Sequence, residues 1–281
     1  MKKQRFQLKR GYPMNFKRIY AVARKDVLDV INDKESMLAI TLFPLIMSVL
    51  MPLVIIIIFK FSGEVNNGGD LDKLLSILPN EVLPNVADTE IKMLVLALTV
   101  LLAPIFLMIP VMIASVIASY SFIGEKENKT LEGLMYTPLT NVELITAKAL
   151  GSFVPSILVT VISILIYAVL VNVASRYFIG YAIRLNLTWL VMTVLLVPAV
   201  TILSILLVIL ISFKVKTVRA AQSISSLIAF PILALVISQV SGVLYFGVGA
   251  QIVLAGIILL IDIGLLLFVS KKINREKFLV S

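Results

Sequence analysis

Six long apolar runs constrain what this chain can fold into more than any other feature. Each is about as long as the roughly 20 residues that a helix needs to cross a bilayer. Backbone groups inside a bilayer find no water, so such a run satisfies them by forming a helix. We place the six spans at residues 37–59, 93–121, 149–173, 187–212, 222–241 and 249–270. The sequence therefore predicts an all-α, polytopic membrane protein.

Composition excludes several kinds of chemistry. The chain is 60% hydrophobic and contains no cysteine and no histidine, which excludes disulfides, Cys/His metal sites and thiol or imidazole catalysis. Composition leaves an all-carboxylate metal site open, but no predicted span contains more than one acidic residue, and we assign no metal ligands. The phosphate-binding loop and the nucleophile motif Gly-x-Ser-x-Gly are both missing. We therefore expect a protein that is not an enzyme and binds no cofactor itself.

The basic residues predict the orientation of the spans. The net charge is +9, but its distribution is typical of membrane topology rather than nucleic-acid binding. Twenty Lys and Arg lie before the first span, between the second and third, between the fourth and fifth, and after the sixth; five lie in the other loops. Because cytoplasmic loops carry the excess of Lys and Arg, we expect both termini and the first set of segments to be cytoplasmic.

The flanking regions divide the chain into three parts. Residues 1–36 form a basic leader followed by an amphipathic helix over residues 15–35, in which Phe16 and Val30 share an apolar face. A solvated basic leader is the alternative for this part. Residues 37–270 form the six-span domain, and residues 271–281 form a cytosolic tail. In the first outer loop, Leu71 and Leu74 predict one short amphipathic helix.

Prolines and aromatic residues mark the spans. Each of the first five spans contains proline, which breaks a backbone hydrogen bond and bends a helix. These bends are either ordinary kinks or hinges of a bundle that moves. Near the predicted outer ends of the third and fourth spans, Tyr177, Phe178, Tyr181 and Trp189 are typical of aromatic anchors at the membrane interface.

A polar segment at residues 122–148 separates the second and third spans. Within it, Leu131, Leu134 and Met135 lie at helical spacing and form a small apolar face, and Pro138 ends that helix. A short amphipathic helix at the cytosolic surface suits docking into a groove on a partner. The alternative is a capped loop whose leucines rest on lipid headgroups. Since the chain has no phosphate-binding loop, any energy from ATP comes from another chain.

The same segment resembles the signature of a known transporter family. The residues Glu125-Lys126-Glu127-x-x-Thr130-Leu131-Glu132-x-Leu134-x-x-x-Pro138 are similar to the motif of permease subunits of type-2 ABC exporters (the ABC-2 type), in particular the sodium-efflux permeases typified by NatB. In that family the motif forms the coupling helix that seats in the ATPase. Many relatives have glycine where this chain has Lys129.

The resemblance implies two contacts with an ATPase subunit. The coupling contact comprises Glu125, Glu127, Thr130, Leu131, Glu132, Leu134, Met135 and Pro138. The inner loop between the fourth and fifth spans implies a second cytosolic contact, with Lys214, Lys216 and Arg219. Two permease chains, identical or homologous, would pair with two ATPase subunits that hold ATP and magnesium. Transport would be outward across the cell membrane.

Other functions stay open at this point. A secondary transporter or channel is one alternative, a membrane enzyme is another, and a non-transporting immunity or sensory complex on the same fold is a third. The substrate is equally open among sodium, drugs, peptides and lipids.

One acid lies within a predicted span. Asp262 is about 13 Å from Lys271 along its helix at 1.5 Å per residue, and therefore near mid-membrane. Acids at this depth usually face a cavity or a partner. Asp262 is either a cation or proton contact on a transport path or a structural hydrogen-bonding group.

Overall fold

The computed structural model describes residues 16–62, 89–128, 141–241 and 246–272. Within these ranges every regular element is a helix. Six helices are long and apolar enough to cross a membrane, which confirms the all-α, six-span prediction. We name them the first to sixth spans in chain order, and they run Lys34–Phe61, Ile91–Glu127, Glu143–Ile179, Leu187–Ser212, Val218–Val240 and Val248–Val269.

Two spans extend further than their apolar runs predicted. The second continues to Glu127, and the third belongs to one uninterrupted helix, Asn141–Ile179. Charged residues set the predicted ends, but two of them, Glu125 and Lys148, pair with each other at 2.9 Å. Because each neutralises the other, the helices continue through positions where unpaired charges would favour water.

A helix of 17 residues, Phe16–Asn32, precedes the first span, and we call it the elbow helix. Its buried residues are Ile19, Asp26 and Val30, whereas Phe16 is 79% exposed. The sequence predicted an apolar face, and the buried stripe contains an acid. We call the end of the bundle where this helix lies the elbow end and the opposite end the far end.

The second span lies at the centre of the bundle. In its apolar stretch 78% of the residues are buried, compared with 22% in the first span and 22% in the sixth. Phe106 of this span contacts Tyr167 of the third and Trp189 of the fourth, with ring centroids 4.7 and 5.0 Å away. Trp189 is only 2% exposed. The prediction of an interfacial anchor was therefore wrong for Trp189, which belongs to the core.

Widened turns accompany several prolines. π-Helical segments occur at Ile46–Leu50, Ala97–Leu101, Tyr120–Gly124 and Met192–Leu196, and prolines follow three of them within three residues. Pro104 has no N–H for the carbonyl of Val100, four residues earlier. The side-chain amide of Gln239, from the fifth span, donates to that carbonyl instead at 3.1 Å. A bond from another span holds this bend in place, which is typical of a fixed kink.

Candidate functional site

Three consecutive charged residues, Glu125–Glu127, end the second span at the elbow end of the bundle. They follow the π-helical segment Tyr120–Gly124 directly. Each of the three bonds to a different part of the bundle. This segment therefore sits where the second span meets its neighbours, immediately before the segment with the predicted coupling helix.

Glu125 belongs to a largely buried group of charges that joins three elements. Its carboxylate lies 2.9 Å from the ammonium of Lys148 in the third span and 3.1 Å from that of Lys25 in the elbow helix. Lys148 also lies 3.6 Å from Asp26, to which the hydroxyl of Ser121 donates. Lys148 further donates to the Ser121 carbonyl. We call Lys25, Asp26, Ser121, Glu125 and Lys148 the ion cluster.

Within the ion cluster two carboxylates face two ammonium groups, and both Asp26 and Lys148 are 3% exposed. Outside the cluster, the exposed Asp29 also pairs with Lys25 at 3.2 Å. Burial alone would lower the pKa of Lys25, but the carboxylates of Glu125 and Asp26 outweigh it and raise that pKa above its ordinary value. Lys25 therefore stays charged at any physiological pH. Charges that are buried in this way are stable only when they are paired.

Lys126 and Glu127 bond to the loop between the fourth and fifth spans. The Lys126 ammonium donates to the Ser212 carbonyl at 2.9 Å, at the end of the fourth span. The Val218 amide, at the first turn of the fifth span, donates to Glu127 at 2.8 Å. A carboxylate at a helix N-terminus is favoured by the orphan N–H groups and by the helix dipole. The two bonds bracket the loop that contains Lys214 and Lys216 of the predicted second contact.

The structure thus brings parts of the two predicted ATPase contacts together. Lys214 and Lys216 are exposed in the bracketed loop, and Arg219 pairs with Glu35 at 2.9 Å. Glu125 and Glu127 bond within the chain, and their contact with a partner stays a prediction. The remaining predicted coupling residues lie outside the described residues: Thr130, Leu131, Glu132, Leu134, Met135 and Pro138.

The sequence pattern does not single out Asp26, and it uses Lys148 only as one of the basic residues that predict the orientation of the spans. One signal could have found Asp26, because it lies seven residues after Ile19 and four before Val30, on the same helix face. An acid on such a stripe indicates a buried partner. Lys148 gives no comparable signal, since a lysine at the end of an apolar run is ordinary.

Two cavities flank the elbow end of the first span. The first, of about 390 Å³, lies between the elbow helix and the first and third spans, and its lining includes Val30, Pro44 and Pro155. The second, of about 380 Å³, lies between the first, second and fifth spans. Its lining is apolar with a few polar groups and includes Phe43, Met108, Met112, Gln222 and Ser226.

Asp262 lies on the buried stripe of the sixth span, with Gln251, Ala255 and Ile258, and is 2% exposed. Among the described residues, neither of its carboxylate oxygens has a hydrogen-bond partner. An acid near mid-membrane costs roughly 2.5–3.5 kcal/mol on insertion scales. The described part of the chain therefore gives Asp262 no stabilising hydrogen bond, and its assignment to a transport path stays a prediction.

We expect Asp262→Asn and Asp262→Leu to assemble normally and to reduce transport. Both substitutions remove the carboxylate. Leucine should also raise the midpoint of thermal unfolding, because it replaces a buried polar group that has no hydrogen-bond partner among the described residues by an apolar side chain. Size-exclusion chromatography after a heating series measures stability, with Ile261→Leu at the exposed neighbouring position as control. Unfolding of Asp262→Leu would instead favour the structural hydrogen bond.

Comparison with known protein families identifies the family of this chain. The profile of the family described as ABC-2 family transporter protein matches residues 20–270, which include the elbow helix from Tyr20 onward and all six spans. No curated protein matches the chain.

Proposed function

Because the chain belongs to the ABC-2 family transporter proteins and is a multi-pass membrane permease, we propose that it couples outward transport to a separate ATPase subunit. The observation that carries this proposal is the set of bonds made by Glu125, Lys126 and Glu127. They connect the start of the predicted coupling segment to the elbow helix and the third, fourth and fifth spans.

This arrangement supports mechanical coupling. A partner that displaces the segment after Glu127 also displaces Glu125, Lys126 and Glu127, whose side chains bond to other parts of the bundle. Each bond to a charged group contributes more than a neutral one, about 1.5–3 kcal/mol, and none depends on a long flexible loop. Displacement of the segment is therefore passed to several spans together rather than absorbed locally.

The partners follow from the same proposal. The ATPase subunits hold ATP and magnesium and contact the elbow end, which is then cytosolic together with both termini. A second permease chain, identical or homologous, completes the membrane part. The exposed Lys214 and Lys216 are available as the second cytosolic contact in the loop to which Lys126 and Glu127 bond.

The cavity between the first, second and fifth spans supports a substrate class. Its apolar wall includes Met108 and Met112, and methionine side chains adapt to differently shaped apolar ligands. Gln222 and Ser226 add hydrogen-bonding groups on one side. This chemistry favours an apolar or amphipathic molecule over a small hydrated ion.

The coupling helix is tested by Leu131→Asp combined with Leu134→Asp. Desolvated apolar anchors usually carry most of an interface's affinity, and rim charges carry little. We therefore expect the double variant to release the ATPase while it still inserts into the membrane. Co-purification of the ATPase with the tagged chain, together with the rate of ATP hydrolysis, measures the effect.

A matched control is Leu71→Asp combined with Leu74→Asp, which makes the same changes at the same spacing in the first outer loop. This control should retain the ATPase. Glu127→Gln should have a small effect, because its amide oxygen still accepts the Val218 N–H. Full retention of the ATPase and a normal rate in the Leu131/Leu134 variant would refute the coupling-helix assignment.

A further inference from the structure

The elbow helix contacts the third span through two features on the same side. One is the ion cluster, in which Lys148 of the third span bonds to Glu125 and pairs with Asp26. The other is a close backbone approach at Gly151. A Cβ atom built on Gly151 would lie 3.2 Å from the Cα and the carbonyl oxygen of Ala23, so only glycine fits without a shift.

These two features lie about one helical turn apart. Gly151 follows Lys148 by three residues, or about 4.5 Å along the third span, and Ala23 precedes Asp26 by three residues. Close packing holds the two helices at contact distance. The ion cluster then fixes the position of one helix along the other. Sliding would separate the buried charges of Asp26 and Lys148, where water does not replace a lost partner.

Stability alone does not account for this arrangement. Replacing a buried ion pair by apolar side chains of similar volume is often neutral or stabilising. Apolar side chains, however, would not form a directional ion pair with Glu125. That residue starts the coupling segment, and Lys148 reaches it and Asp26 with the same ammonium group.

We propose that Asp26 and Lys148 are positioning residues that make the elbow helix, the third span and the start of the coupling segment move as one unit. The inference rests on the proposed function, since it requires an ATPase that moves the coupling segment. Lys126 and Glu127 pass the same movement to the fourth and fifth spans. Without Asp26 and Lys148, Glu125 keeps its pairing with Lys25 of the elbow helix, but the third span loses the charged contacts that hold it to both.

The test uses the full-length chain in complex with the ATPase that co-purifies with it. In the combined variant Asp26→Asn with Lys148→Met, both members of the buried pair become neutral, and Glu125 keeps Lys25. We expect the ATPase to remain bound while ATP hydrolysis falls by about 2- to 30-fold, the range typical of residues that carry coupling. Lys148→Arg alone should keep most of the rate.

A disulfide provides the decisive measurement, because the chain has no native cysteine. The Cβ positions of Ala23 and Gly151 lie 3.4 Å apart, close to the roughly 3.5–4.5 Å of disulfides. The Cβ added at Gly151 requires a small local shift, so the reduced double-cysteine complex is the reference. Oxidation of Ala23→Cys with Gly151→Cys should leave the rate of this otherwise native complex unchanged. In the Asp26/Lys148 variant it should restore the rate, and a reducing agent should remove the gain.

Several results would overturn the inference. One is an unchanged rate in the Asp26/Lys148 variant, another is no restoration by the disulfide, and a third is a lower rate of the otherwise native double-cysteine complex in its oxidised form than in its reduced form. The third result does not depend on whether the charge variant folds. If the native chain binds no ATPase at all, the proposed function itself fails, and this outcome is distinct from the other three.

Discussion

Replacing Trp189 with alanine is expected to lower the free energy of unfolding by about 3–5 kcal/mol, the usual cost of truncating a buried aromatic side chain. Trp189 is 2% exposed and stacks on Tyr167 with ring centroids 5.0 Å apart. Its indole N–H donates to the Thr99 carbonyl at 2.7 Å. The substitution therefore leaves a cavity and also removes a bond to the backbone of the second span.

The position of the hydrogen bond from Trp189 to Thr99 increases the expected loss of stability. Thr99 lies in the π-helical segment Ala97–Leu101, where the hydroxyl of Tyr167 and the amide of Gln239 donate to the two neighbouring carbonyls. Side chains from the third, fourth and fifth spans thus satisfy three successive carbonyls of the second span. Removing the middle donor weakens a junction of four spans.

The fraction of monodisperse protein that remains after a heating series measures this effect. Trp189→Phe should cost less, because a phenyl ring still fills part of the site, although some buried volume and the hydrogen bond are lost. Tyr177→Ala should cost little, because Tyr177 is 82% exposed. Equal midpoints for Trp189→Ala and Tyr177→Ala would contradict the placement of Trp189 in the core.

Lys148→Met is expected to have the second large effect, about 3–5 kcal/mol of destabilisation, as for the loss of one partner from a buried ion pair. The methionine keeps most of the side-chain volume but removes the charge that faces Glu125 and Asp26. The lower end of this range applies, because Lys25 still lies 3.1 Å from Glu125 and 3.4 Å from Asp26.

A lysine in a different setting supplies the control. Lys60, at the far end of the first span, lies 5.0 Å above the Phe178 ring. An exposed contact of this kind contributes about 0.5–1 kcal/mol, so Lys60→Met should shift the thermal midpoint much less than Lys148→Met. Lys148→Arg should retain most of the stability. A Lys148→Met protein as stable as Lys60→Met would show that the ion cluster does not hold the elbow helix.

The functional segment was only partly predictable. The residues Glu125–Glu127 were recognised as part of a transporter signature, and their carboxylates were assigned to a partner. Their bonds to Lys148 and Val218 were not predicted, since these partners lie 23 and 91 positions away along the chain. The predicted coupling helix, with Leu131 and Leu134 on its apolar face, lies outside the described residues and stays a prediction.

The sequence by itself determined the number and type of the spans, because a bilayer leaves an apolar run of about 20 residues little choice but a helix. Tertiary structure alone decided which polar residues are buried. Asp26 and Lys148 look like surface charges in the sequence, and Trp189 looks like an interfacial anchor. Each is buried because a partner from another helix satisfies its charge or its N–H, and pairing between distant residues leaves no periodic signal in the sequence.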